Sequence, residues 1–132
     1  MLVTINYRTG MMGMIDLSSF EGSQEYDTSI NNSLLDMVQA LKWLKQNGAA
    51  FGGDVNNITI CGESAGGGAV STLCIMDAAK GLFNKAIPMS GGVDQIQKKD
   101  NTTALPTQFK KDFNISSVKQ ATEIPFEKLC EW

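Results

Sequence analysis

Histidine is absent from all 132 residues. A serine hydroxyl becomes an effective nucleophile only when a base takes its proton, and in serine hydrolases that base is an imidazole. Cysteine is scarce: Cys61, Cys74 and Cys130 are odd in number and show neither metal-ligand spacing nor a C-x-x-C pair. That pattern argues against a disulfide framework and for a reducing, cytoplasmic setting. No apolar run approaches the length of a membrane span, and the first residues lack the charged-then-apolar order of a secretory signal. Basic patches are missing as well. With 11 basic and 14 acidic residues the net charge is -3, and the lysine pairs Lys98-Lys99 and Lys110-Lys111 make no extended face, which excludes nucleic acid and membrane surfaces as expected partners.

What is present is an ordinary soluble composition, 42% hydrophobic and 19% charged, enough for one globular unit with a core. Four N-x-S/T sequons, at Asn31, Asn57, Asn101 and Asn114, read as chance, since Asn57 opens an expected buried strand where a glycan has no room.

The order of elements follows from periodicity. Leu2-Val3-Thr4-Ile5 is a short β-prone run, and Thr9 to about Asn31 forms a long aperiodic loop, functional or packed rather than free. Leu34, Met37, Val38, Leu41 and Leu44 recur at helical spacing, with Ser33 as the expected cap, Asp36 three residues on, and Asn47-Gly48 as the stop. After the turn Gly52-Gly53-Asp54, the run Asn57–Cys61 predicts a strand covered on both faces. A helix from Gly67 to about Lys80 and a third strand opening at Ala86-Ile87 complete an alternation that implies a parallel sheet with right-handed crossovers. Pro88 removes a ladder donor, so either the third strand ends at Ile87 or the sheet breaks there. Beyond it, Phe109, Phe113, Ile115 and Val118, then Ile124, Phe126 and Leu129, predict two short amphipathic helices around Asp112-Phe113-Asn114, with Pro125 near the start of the second.

Between the second strand and its helix lies Gly62-Glu63-Ser64-Ala65-Gly66. Alone, G-x-S-x-G is a common Gly-rich turn; placed between strand and helix it becomes a nucleophile elbow, with Ser64 lifted above the sheet edge. Side chains at positions 62 and 66 are expected to collide with the flanking elements, hence glycine at both. The Ala65 N–H, at the positive end of the following helix, is the expected oxyanion donor. A phosphate loop fits less well, because the Lys-Ser/Thr ending and the G-x-G-x-x-G pattern are both missing. No cofactor or metal is called for. Glu63 either influences charge near the site or satisfies loop hydrogen bonds. Trp43 and the seven methionines are read as packing residues, and Cys74 as a buried small hydrophobe.

Val3-Thr4-Ile5-Asn6-Tyr7-Arg8, Leu34-Leu35-Asp36 with Ala40-Leu41-Lys42-Trp43, Ala49-Ala50-Phe51-Gly52-Gly53-Asp54 and Gly62-Glu63-Ser64-Ala65-Gly66-Gly67 stand in an order and spacing that closely resembles the type-B carboxylesterases, which include bacterial para-nitrobenzyl esterases and the cholinesterases. Gly81-Leu82-Phe83 and Ser90-Gly91 extend the likeness to about residue 92. The resemblance implies a partial α/β-hydrolase fold: three parallel strands with crossover helices and a nucleophile elbow in residues 1–92, and a helical cover of the same domain in 93–132. It implies a serine ester hydrolase acting through an acyl-enzyme on a small-molecule ester, with Ser64 as nucleophile and Ser90 as a structural residue behind it. Family members usually differ at Ser33, Met37, Cys61 and Met89, all mild departures. In the family a His-Gly-Gly stretch lies just before the strand that here begins at residue 2, and the triad acid and histidine lie well beyond residue 132. The chain is therefore expected to be an internal fragment, inactive alone, whose partner is the remainder of the hydrolase domain. The alternative implied by the same family is a non-catalytic binding protein, comparable to adhesion proteins on this fold, or a gene remnant.

Overall fold

The structure, a computed structural model, describes residues 1–93 and 102–132; Asn101 and the Lys98-Lys99 pair lie outside the described residues. In chain order the elements are helix α1 (Gly10–Met14), helix α2 (Asn32–Asn47), strand β1 (Thr59–Glu63), helix α3 (Ala65–Ile75), strand β2 (Lys85–Met89), and helices α4 (Ala104–Phe113), α5 (Val118–Thr122) and α6 (Phe126–Glu131). They fall into two compact units, one of residues 1–7 with those from Leu34 to the end of the first described stretch, the other of residues 8–33 with those from 102 onward.

The first unit is built on β1 and β2, paired in parallel with Ile60 beside Ala86 and Gly62 beside Pro88. Helix α3 is the crossover between them and packs on both, as a parallel pair requires. Its Leu73 joins Met37 and Val38 of α2 and the fully enclosed Ala79 in one apolar core, flanked by Tyr7, Ile60 and Leu82. The helical stripe read from Met37, Val38 and Leu41 is the buried face of α2, and α2 stops at Asn47 as Asn47-Gly48 implies. A 3-10 turn at Gly48–Phe51 follows, closed by Gly52 in the left-handed region at φ 77°, which glycine enters without a Cβ penalty.

Several sequence expectations fail here, each for a physical reason. Three strands were expected and two form among the described residues: Leu2–Ile5 pairs with nothing there, because β propensity becomes a strand only where a neighbour supplies the ladder. Covered on both faces was the expectation for the strand at Asn57–Cys61. The observed β1 lies two residues later and alternates exposed and half-buried positions, the pattern of a sheet packed on one side. Asn57 thus sits exposed before the strand, and burial is no obstacle to a glycan there.

Strand β2 runs through Pro88 without a break. The Met89 carbonyl accepts from the Ser64 N–H at 2.9 Å, so Met89 faces β1, and the adjacent Pro88 turns its donorless nitrogen to the outer edge, where proline is tolerated. Ser33 does not cap α2. The helix begins at Asn32 directly from a 3-10 turn at Ser29–Asn31, and the Ser33 hydroxyl donates to the Arg8 carbonyl at 2.5 Å. Cys74 is exposed rather than buried, since α3 turns Val70 and Leu73 inward and leaves Cys74 outside.

The second unit is helical. The segment read as an aperiodic loop contributes α1 and two buried apolar side chains, Ile15 and Phe20, which pack with Phe109 of α4 and Val118 of α5. Phe109 is the hub: its ring lies 6.4 Å from Phe20, 4.8 Å from Phe113 and 5.2 Å from Trp132, spacings at which tilted and edge-on rings attract. Three helices form where two were expected. Asn114, at φ 51°, ends α4 in the left-handed region, and Ser117 opens α5 with a capping box, its hydroxyl accepting from the Gln120 N–H at 3.3 Å. Pro125 then stands just before α6.

Candidate functional site

The chain leaves β1 at Glu63 and enters α3 at Ala65, leaving a single residue for the turn. That residue, Ser64, has φ 54° and ψ −117°, a conformation that costs a non-glycine residue about 1–3 kcal/mol and persists only where the surroundings over-determine it. The surroundings can be named. The Ser64 N–H donates to the Met89 carbonyl at 2.9 Å, and the Ser64 carbonyl accepts from the Gly68 N–H at 2.9 Å. One bond ties the turn to the end of β2, the other to the first turn of α3.

Glycine spacing completes the brace. A Cβ on Gly62 would meet the Gly66 carbonyl oxygen at 2.4 Å, well inside contact distance, so glycine at 62 is a steric necessity, as the sequence implies. Gly66 itself faces open space, so the clash expected there is absent. Its place is taken by two residues that sequence reading missed. A Cβ on Gly67 would strike the Met89 carbonyl oxygen at 2.3 Å, and one on Gly91 would come within 2.2 Å of the Gly68 nitrogen and 2.5 Å of the Ser64 carbonyl oxygen. Ser90, between them, is also in the left-handed region at φ 52°. The runs Gly66-Gly67-Gly68 and Gly91 are visible in the sequence, but the need for them arises across the strand pair and has no local signal.

Ser64, Ala65 and Glu63 are all exposed. The Ala65 N–H is among the first donors of the 11-residue α3, which have no partner within a helix and carry its positive partial charge. Chemically, a hydroxyl held at a sharp turn can serve as a nucleophile, and a backbone donor beside it can hold an anion. Among the described residues no cluster of acidic or cysteine side chains is arranged to hold a metal ion, and no helix is long and apolar enough to cross a membrane. Cys61, Cys74 and Cys130 are free and exposed.

A parallel pair joined by a crossover helix, with a strained serine between strand and helix, matches an α/β-hydrolase-type arrangement. The carboxylesterase family profile matches residues 1–124, and the chain belongs to that family. Para-nitrobenzyl esterase of Bacillus subtilis (strain 168) is 44% identical over 115 residues, 87% of this chain and 22% of that protein. Esterase E4 of Myzus persicae is 47% identical over 89 residues, 67% of this chain and 15% of the relative. Among solved structures, Geobacillus stearothermophilus carboxylesterase EST55 at pH 6.2 superposes with a TM-score of 0.87 at 37% identity, covering 94% of this chain and 26% of the other. The chain thus spans about a quarter or less of the length of these relatives.

Proposed function

We propose that this chain carries the nucleophile of a serine carboxylic ester hydrolase. The observation that carries the reading is the conformation of Ser64, a non-glycine residue held at positive φ between a parallel strand and a helix N-terminus in a chain of the carboxylesterase family. In this reading the turn at Gly62–Gly66 is a nucleophile elbow. The Ser64 Oγ bonds to the carbonyl carbon of a small-molecule ester, its proton passes to a base, and the Ala65 N–H holds the tetrahedral oxyanion. Collapse expels the alcohol and leaves an acyl-enzyme, which water then cleaves. Removing one oxyanion donor from such a site typically costs about 3–4 kcal/mol of transition-state stabilisation.

The base is the missing part. With no histidine in the sequence, the isolated chain is expected to lack turnover, and a competent site needs the base, the acid and further oxyanion donors from additional hydrolase chain. Cytoplasmic residence belongs to the same reading, supported by three exposed unpaired cysteines that suit a reducing compartment. A fluorophosphonate probe and a short-chain nitrophenyl ester are therefore expected to leave the purified chain unlabelled and the ester intact. Stoichiometric labelling that disappears in Ser64→Ala would refute the expected inactivity.

A non-catalytic reading has one specific support, the 42% identity over 90 residues to Neuroligin-2 of Mus musculus, a relative whose name carries no esterase activity. Ser64 and its glycine brace weigh against it, since a binding surface has no need of backbone strain at a serine. Transplanting the chain into an esterase scaffold decides between the two.

A further inference from the structure

We propose that Ser90 is a positioning residue for Ser64 and acts through its backbone: the left-handed turn at Ser90 closes Met89 and Gly91 on the N–H and the C=O of Ser64. Three non-glycine residues among those described have positive φ, Ser64 at 54°, Ser90 at 52° and Asn114 at 51°. Asn114 is of a residue type that enters this region readily, and it ends a helix there. Serine is less suited to it, so a second strained serine stays only where its surroundings hold it. For Ser90 those surroundings are the turn at Ser64.

Strand β2 ends at Met89, whose carbonyl accepts from the Ser64 N–H at 2.9 Å. Continued as a strand, residue 90 would carry Gly91 onward along the sheet; with φ positive the chain turns toward α3 instead. There a Cβ on Gly91 would lie 2.5 Å from the Ser64 carbonyl oxygen and against the Gly68 nitrogen, the two ends of the 2.9 Å bond that ties Ser64 to α3. The Ser71 hydroxyl donates to the Gly91 carbonyl at 3.4 Å and fastens the turn to the same helix. Residue 89 thus holds the N–H of Ser64 and residue 91 backs its C=O, which leaves little freedom for the φ between them. The Ser90 side chain is exposed, and every contact of this bracket is made by residues 89 and 91. What position 90 supplies is therefore its conformation. The inference rests on Ser64 as the nucleophile and adds that the end of β2 sets where its hydroxyl stands.

The test replaces Ser90 by residues graded in their tolerance of positive φ: glycine and asparagine enter that region, alanine less readily, and valine least of all. Amide hydrogen exchange of the chain is read at Ser64 and Gly68, the two donors of the bracket, with Leu73 further along α3 as the internal reference. Ser90→Val is expected to speed exchange at Ser64 and Gly68 about tenfold or more relative to Leu73, and Ser90→Ala by less, while Ser90→Asn and Ser90→Gly keep it slow. Gly81→Ala, strained at φ 77° with open space around it, is the control and is expected to shift the three amides together. Should Ser90→Val fail to fold, Ser90→Ala is read by the same ratio. With the chain transplanted into an esterase scaffold, Ser90→Val is expected to lower kcat about tenfold or more with KM within about twofold, and Ser90→Asn to recover most of the loss. Unchanged exchange, or equal acceleration at all three amides, would overturn the proposal, as would an unchanged kcat. Ser90→Asn behaving like Ser90→Val would assign the role to the hydroxyl and overturn it too. A scaffold that hydrolyses nothing with Ser90 intact refutes the ester reading alone, because exchange needs no hydrolysis.

Discussion

The two units of this chain differ in how completely they satisfy themselves. The helical unit gathers its core on one ring: Phe109 is 3% exposed and meets Phe20, Phe113 and Trp132, with Ile15 and Val118 buried beside it, while Met14, Leu105 and Phe126 stay exposed at its surface. Two of its helix ends are closed locally, the C-terminus of α4 by Asn114 and the N-terminus of α5 by the Ser117–Gln120 box. The sheet unit buries Met37, Val38, Leu73 and Ala79 on one side, yet leaves one edge of β1 unpaired and Met1, Leu2, Val3 and Ile5 exposed. The residues that suit chemistry lie in the unfinished unit. Their local geometry is nevertheless fully determined, because the strain at Ser64 is held by Met89, Gly67 and Gly91 within two strands and one helix. A site can be locally rigid inside a sheet that is globally incomplete.

That contrast can be broken most forcefully at Phe109. Truncating a buried aromatic hub removes its transfer energy and leaves a cavity, so Phe109→Ala is expected to cost about 3–5 kcal/mol and to abolish the near-UV circular dichroism of Trp132. Leu2→Ala, at a side chain already in water, is expected to change stability by less than about 0.5 kcal/mol. Equal costs would mean that the N-terminal segment is as well packed as the helical core. A dye for exposed apolar surface is expected to bind the chain; a sharp cooperative melt without dye binding would contradict an unfinished sheet edge.

The glycines of the turn sharpen the comparison at smaller scale. Gly62→Ala places a methyl group against the Gly66 carbonyl and is expected to destabilise by roughly 1–3 kcal/mol through overpacking. Gly66→Ala meets open space inside a helix, where exchanging glycine for alanine gains about 0.5–1 kcal/mol. Thermal denaturation of the two variants checks the sign difference.

The smallest effect concerns Asp112, an exposed carboxylate held below its ordinary value of 3.8 first by the Trp132 Nε1–H, then by Gln108, with a lesser contribution from Lys111. The Trp132 bond is 2.9 Å long. A folded-state pKa below the unfolded one gives stability that is fully present above the unfolded value and is lost as pH falls through the folded value. Trp132 fluorescence is therefore expected to hold steady from neutral pH to about 4 and to change only below it, and Asp112→Ala is expected to remove that acid step.

Much of this was legible in the residues, where the physics is local. Asn47-Gly48 stops α2 because the left-handed Gly52 and the preceding 3-10 turn need no distant partner, and Gly62 is required by an atom four residues away. The turn at Ser64 is likewise set by its place between strand and helix. Non-local needs were not legible. Leu2–Ile5 has strand composition without a partner, Pro88 is tolerated because of which edge it faces, and Gly91 is constrained by a helix more than 20 positions earlier. Ser33 and Cys74 were misread for a related reason, since spacing alone does not say which neighbour a side chain meets.

The most direct test of the account places residues 1–124, the stretch matched by the family, into Bacillus subtilis para-nitrobenzyl esterase in exchange for its corresponding segment. The measurement is hydrolysis of a short-chain nitrophenyl ester by the folded chimera. The account predicts measurable turnover and stoichiometric fluorophosphonate labelling at Ser64, with Ser64→Ala lowering turnover by about a thousandfold or more. A folded chimera that fails to hydrolyse the ester, or one whose activity survives Ser64→Ala, would contradict the assignment of Ser64 as the nucleophile.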